Sequence, residues 1–229
     1  MDKQLTTILT VLLVVGFVIL IIGVVIVAAI VQNKREQERT RQLQSTASLL
    51  GLEFAPTAPL NWIPNLETFG LFNQGHSKSI SNMFYGQLEG VKAALFDYQY
   101  SVGHGKHRST YNQSVVYFEP PNLNLPFFSL RPERTFHKII SALGYQDIDF
   151  GNRPDFSKQY LLRGPDEQAV RNAFSDAVLS SYETNPGTCT DGGGNQLFIF
   201  RQGYRIAPLE AQSFINWASG VKNLFARRW

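Results

Sequence analysis

The chain opens on hydrophobic positions that have no period. From Ile8 to Val31 no residue is charged, and Thr10 carries the only polar side chain. A helix rises about 1.5 Å per residue and a bilayer core is about 30 Å thick, so some twenty apolar residues suffice to cross it. The run predicts a transmembrane anchor over residues 1–31, with the span at 8–31. A cleaved secretory signal has an apolar core of about 7–15 residues and ends in a small-x-small site. This run is longer, and "VAAIVQNK" offers no A-x-A site. Beyond it the period turns helical: Leu43, Ala47 and Leu50 recur at i, i+4 and i+7, and Gly51 suits a helix C-cap. "LEFAPTAPLNWIPN" then carries three prolines and no steady period, as a linker or an extended arm laid over the next domain would. Residues 32–64 are therefore read as a juxtamembrane helix and Pro-containing linker.

Residues 65–229 suffice for one domain with its own core. Their first half is patterned for strands. "LETFGLFNQ", "ISNMFYGQLEG", "VKAALFDYQYSV", "TYNQSVVYFE" and "PFFSLRP" are short aromatic and β-branched runs parted by Gly, Asn or Pro. The spacings are too short for helical crossovers, which predicts an antiparallel meander. The second half alternates. "PERTFHKIISALG" places Pro132 at a helix start and Gly144 at its end, with Phe136, Ile139, Ile140 and Leu143 on one face. "DIDFGNRPDF" is a turn-rich connection, with "DIDF" setting Asp147 and Asp149 on one face of an edge, and "KQYLLRG" is a strand. "PDEQAVRNAFSDAVLSSYE" is a helix with acids in its first turn. "CTDGGGNQ" reads as a flexible loop into "LFIFRQGYRIA", a hairpin turning at Gln202-Gly203. A last helix starts near Pro208, with Phe214, Trp217, Ala218, Val221, Leu224 and Phe225 inward. The expected class is α+β, with about three helices packed on the meander.

Charge adds orientation. Lys3 stands beside Asp2 before the span, while Lys34, Arg35, Arg39 and Arg41 follow it. Lys and Arg accumulate on the cytoplasmic side, which places the N-terminus outside and the domain, residues 65–229, in the cytoplasm. Glu36 and Glu38 dilute the basic cluster, so it reads as a topology signal rather than a lipid-binding site. Cys189 is the single cysteine, so an intramolecular disulfide is excluded.

The most chemical stretch is "SVGHGKHRST", residues 101–110. A phosphate-binding loop needs G-x-x-x-x-G-K-[ST] between a strand and a helix. Here Tyr100 stands where the first glycine belongs, His107 follows Lys106, and a strand pattern comes next, with no helix N-terminus for the anion. The stretch is a hairpin tip, in which Gly103 and Gly105 permit positive φ and His104, Lys106, His107 and Arg108 form a basic knob facing water. The knob is the candidate contact for an anion or a partner. Zinc at His104 and His107 lacks a third protein ligand nearby in sequence. Asp147, Asp149 and Asp155 could gather around a divalent cation, but a solvated edge explains the pattern more simply. No G-x-S-x-G elbow and no G-x-G-x-x-G opening a helix is present. No catalytic, cofactor-binding or metal residues are assigned, and no cofactor is expected.

The series "LFDYQYSVGHGKHRSTYNQSVV", "FSLRPE", "DIDF" and "YLLRGPDEQAVRNAF" resembles a family of bacterial single-pass membrane proteins without an assigned function, over most of the chain from about residue 43. The resemblance implies a bacterial inner membrane and an anchored domain, and names no catalytic residue. The expectation is a membrane-anchored, non-enzymatic binding or scaffold module with protein partners and no nucleic acid. An anionic-lipid-binding domain using the hairpin at 103–108 is the alternative, and a metal-dependent enzyme the third reading.

Overall fold

A computed structural model describes residues 3–133 and 146–226. The helix expected at 132–144 lies largely outside them. The chain divides into two compact units, Met1–Gln42 and Leu43–Trp229. Its first element is one continuous helix, α1 (Lys3–Leu49), long and apolar enough to cross a membrane. Between Ile8 and Val31 it presents large apolar side chains outward all round, as a helix solvated by lipid does.

The second unit is α+β. Among the described residues its eight strands form one antiparallel sheet in the order β1-β2-β3-β4-β8-β7-β5-β6. They are β1 (Glu53–Ala58), β2 (His76–Leu88), β3 (Val91–Val102), β4 (Ser109–Glu119), β5 (Leu125–Pro132), β6 (Tyr160–Arg163), β7 (Thr188–Gly194) and β8 (Gln196–Arg201). The meander β1 to β4 follows from short connections. Between β2 and β3 the turn is Glu89-Gly90, with φ +52° and +77°, the left-handed pair a two-residue hairpin needs.

The central strands are apolar without alternation because both faces of the sheet are covered. Ala93, Leu95, Val116, Phe118, Leu197 and Ile199 join a core with the helices. Ala94, Phe96, Val115, Tyr117, Phe198 and Phe200 face the other way, toward an arm formed by residues 59–75. The helical side holds α2 (Pro154–Gln159), α3 (Glu167–Ala173), α4 (Asp176–Glu183) and α5 (Ala211–Ala226). Phe174 lies at its centre, ringed by Phe128, Phe150, Phe156 and Phe225.

Several elements differ from the sequence reading. "LETFGLFNQ" is no strand. It holds a short 3-10 turn at Leu66–Thr68, and Leu66, Phe69, Leu71 and Phe72 drop onto the sheet from the arm. Upstream, part of the proline-containing stretch is an edge strand, β1, paired with β2. The expected single helix at 165–183 is two, because Ser175 caps a new start by accepting from Val178 N. "TDGGG" is a buried strand, and the hairpin turns at Gly194-Asn195 rather than at Gln202-Gly203. Asp147 and Asp149 stand in an irregular segment beside β6, not in a strand.

Leu43, Ala47 and Leu52 are buried in the helical core. Residues 43–229 are therefore expected to fold cooperatively when produced alone. Starting at residue 51 should cost about 2–4 kcal/mol, since Leu43 and Ala47 then leave a hole in the core. Urea titration of the two fragments checks this. Equal midpoints would mean that the last turns of α1 contribute nothing.

Candidate functional site

The β3–β4 ladder runs without interruption from Lys92↔Glu119 to Val102↔Ser109, which projects residues 103–108 as its tip. Gly103 (φ +77°) and Gly105 (φ +56°) bend it around a 3-10 turn at Gly105–His107. His104, Lys106, His107 and Arg108 are all exposed. They are not equivalent. Arg108 lies back along the hairpin, its Nε and Nη2 donating to Ser101 Oγ at 3.1 and 3.0 Å. Ser101 is itself buried and bonded to Thr110 Oγ1 at 3.0 Å. The reading of Arg108 as a charge facing only water is thus corrected: its guanidinium also satisfies a buried hydroxyl.

The tip has a member that sequence reasoning missed. His76, at the start of β2, stacks on His104 with ring centroids 4.9 Å apart and an interplanar angle of 2°. Its Nε2 lies 2.9 Å from the Gly103 carbonyl. A carbonyl only accepts, so Nε2 carries the proton. No spacing rule relates His76 to Gly103; the β2–β3 register brings them together.

The two glycines differ in a testable way. A Cβ at Gly103 would fall 2.4 Å from the His107 carbonyl oxygen, whereas at Gly105 it meets open space. Gly105→Ala should cost about 1 kcal/mol for left-handed backbone, and Gly103→Ala at least about twice that, since backbone must also move. Lys106→Ser should stay within about 0.5 kcal/mol, and Arg108→Ser should cost about 1 kcal/mol by leaving Ser101 short of donors. Thermal denaturation ranks the four. A Lys106 effect as large as that of Gly103 would contradict a solvated tip.

A second candidate lies on the arm face. A cleft of about 290 Å³ opens between the arm, β5, the β6–α3 connection and β7, with Phe69, Phe127 and Pro165 as walls and Ser129 and Arg163 as polar groups. Behind Gly70 sits a buried ion pair. Arg131 Nη2 is 2.7 Å from both Asp191 oxygens. Its Nη1 donates to the carbonyls of Leu130 and Thr190, and its guanidinium lies 4.9 Å from the Phe200 ring centre. Burial alone would lower the Arg131 pKa; the Asp191 charge raises it, so Arg131 keeps its charge. Asp191 Oδ2 also accepts from Leu71 N at 2.8 Å, which ties the arm to the sheet. Apolar walls with a few placed polar groups suit a small apolar ligand or side chain.

Of the remaining sequence candidates, Asp147 serves the fold. Asp147 Oδ1 accepts from Leu162 N at 2.8 Å and Ile148 N at 3.1 Å. Burial, aided by the nearby Asp149, raises its pKa. Among the described residues no three His, Cys, Asp or Glu side chains gather as metal ligands.

No family model and no curated protein matches the chain. No family match therefore stands behind the resemblance carried by "FDYQYSVGHGK" and "LLRGPDE". The domain is similar to the crystal structure of the mycobacterial trehalose monomycolate transport factor A, TtfA. The TM-score is 0.59 at 12% identity, and the match covers 81% of this chain and 93% of that chain. What the two share is the α+β fold.

Proposed function

We propose that this protein is a membrane-anchored, non-enzymatic binding or scaffold module that serves a membrane transport assembly, its domain in the cytoplasm and its partners proteins. The supporting observation is the pairing of an anchor-length apolar helix with a domain whose fold is that of a transport factor. Fold likeness at this identity is an analogy for function, so the test is direct. Photocrosslinking residues placed one at a time on the exposed surface of the full chain, in its native membrane, should trap one discrete integral membrane protein from a contiguous patch. Adducts scattered over the surface and shared with unrelated anchored proteins would overturn the proposal.

Orientation rests on Lys34, Arg35, Arg39 and Arg41. Cys189 cannot report it, because burial covers the thiol and pushes its pKa up to about 11. Lys158 is exposed. In a Cys189→Ala background, Lys158→Cys should resist a membrane-impermeant maleimide in intact cells and react after lysis. Labelling in intact cells would place the domain outside.

The exposed hairpin tip supports a second reading, contact with anionic lipid. His104, Lys106, His107 and Arg108 form no ion pair among the described residues. On this reading Lys106→Ser lowers binding to phosphatidylserine vesicles and flattens its salt dependence. On the scaffold reading it changes neither.

A further inference from the structure

A second cleft, on the helical side, contains a cation with no acid attached among the described residues. About 290 Å³ in volume, it lies between the end of β8, the 3-10 turn at Pro208–Glu210 and the first turns of α5, and its lining includes Arg201, Glu210, Phe214 and Trp217. Arg201 is the last residue of β8. Its guanidinium lies 5.7 Å from the Phe214 ring centre and 5.9 Å from that of Tyr204. It makes no ion pair among the described residues. Arg201 Nε is covered and has no hydrogen-bond partner, and the same is true of Trp217 Nε1. Both donors belong to residues that line one cleft.

Each such donor costs about 1–3 kcal/mol when left unmade, so two on one cleft point to an absent acceptor. We propose that this cleft binds an organic carboxylate attached to an apolar or aromatic group. The donor set selects the ligand. A guanidinium edge offers parallel N–H bonds that fit the two oxygens of a carboxylate, and the indole N–H adds a third donor. The rings of Phe214 and Trp217 accommodate the apolar body. Charge favours a monoanion over a phosphate dianion, since Arg201 supplies a single positive charge and Glu210 opposes a second negative one. The Glu210 carboxylate is turned away: its Oε2 accepts from Tyr204 OH at 2.8 Å and from Ala207 N at 3.4 Å.

The carboxylate has two sources, a free acid or the C-terminus of a peptide ending in an apolar residue. The test follows the Trp217 indole N–H resonance of the full chain in uncharged detergent, assigned through Trp217→Phe. Phenylacetate, a short peptide ending in phenylalanine, its C-terminal amide and inorganic phosphate are titrated in turn. A saturable downfield shift with phenylacetate or the free-acid peptide is expected, the tighter of the two naming the source, with no saturation by the amide or by phosphate. Arg201→Gln should weaken binding at least tenfold, and Arg201→Lys, which keeps the charge without the fork, nearly as much. Glu210→Gln should strengthen it several-fold, because the competing charge is gone. Three results would overturn the proposal: no saturable shift in the unaltered protein, equal binding of acid and amide, or affinity indifferent to Arg201 in a variant whose other resonances are unchanged. Unchanged affinity in Glu210→Gln would likewise remove the charge argument for a monoanion.

Discussion

Asp191→Ala is expected to lower the stability of the protein by about 3–5 kcal/mol, the largest effect of any single polar replacement proposed here. The variant removes the partner of Arg131, which is 4% exposed and has nowhere to take its charge. It also leaves Leu71 N without its acceptor and removes one of the bonds that tie the arm to the sheet. Replacing both members by leucine should recover most of the loss, because a buried pair is hardly better than well-packed apolar side chains and far better than half a pair. Denaturant titration of the full chain in detergent, with near-ultraviolet circular dichroism as the probe, measures both. A loss below about 1 kcal/mol for Asp191→Ala would mean that Arg131 reaches water or another acid, and that the other contacts of the arm suffice to hold it to the sheet.

The second large effect concerns the glycines of β7. A Cβ at Gly192 would fall 2.4 Å from Phe128 Cε1, and one at Gly193 2.4 Å from Phe127 Cδ1. The two phenylalanines lie on opposite faces: Phe128 packs with Phe174 and Phe225 among the helices, and Phe127 with Phe69 of the arm. Gly192→Ala and Gly193→Ala should each cost about 1–3 kcal/mol through overpacking. A flexible connector would respond in the opposite sense, gaining about 0.4–1 kcal/mol as the unfolded chain loses freedom. The sign therefore separates the two descriptions. In a double-mutant cycle, Phe127→Ala should relieve much of the Gly193→Ala cost, with a coupling above about 0.5 kcal/mol. Additive behaviour would show that the close approach is not what Gly193 provides.

This strand also marks where the sequence stopped being legible. Local patterns revealed β2 to β5 because each is a run of aromatic and β-branched residues with a turn at its end. Asp166 announced its helix by position, and it does cap it, accepting from Ala169 N at 2.9 Å. "TDGGG" carries the opposite local signal. Its place in the sheet is dictated by Phe127 and Phe128, some 65 residues earlier in the chain, and no window contains both. The arm failed for a related reason. Leu66, Phe69, Leu71 and Phe72 have the composition of a strand, but they cover a sheet face instead of extending it. The hairpin tip was legible as glycines and charges, while the His76 stack on it was not. The buried pair was invisible, since Arg131 and Asp191 meet only through the β5–β7 register. Arg201 and Trp217 came together through the turn after β8 and the start of α5, and a lone arginine at a strand end gave no sign of it.

The strand order has a consequence for how the chain is made. β7 and β8 are the last strands to be synthesised, yet they occupy the middle of the sheet, between β4 and β5. Until Arg201 leaves the ribosome, β4 and β5 each present an unpaired edge of apolar strand. At about 5–20 residues per second this interval lasts several seconds, on a nascent chain whose first helix already suits the membrane. Closure by insertion of a late hairpin is also a long-range event, which slows folding at any given stability. The exposed edges, rather than weak final packing, are therefore where the nascent chain is most open to mispairing with another chain.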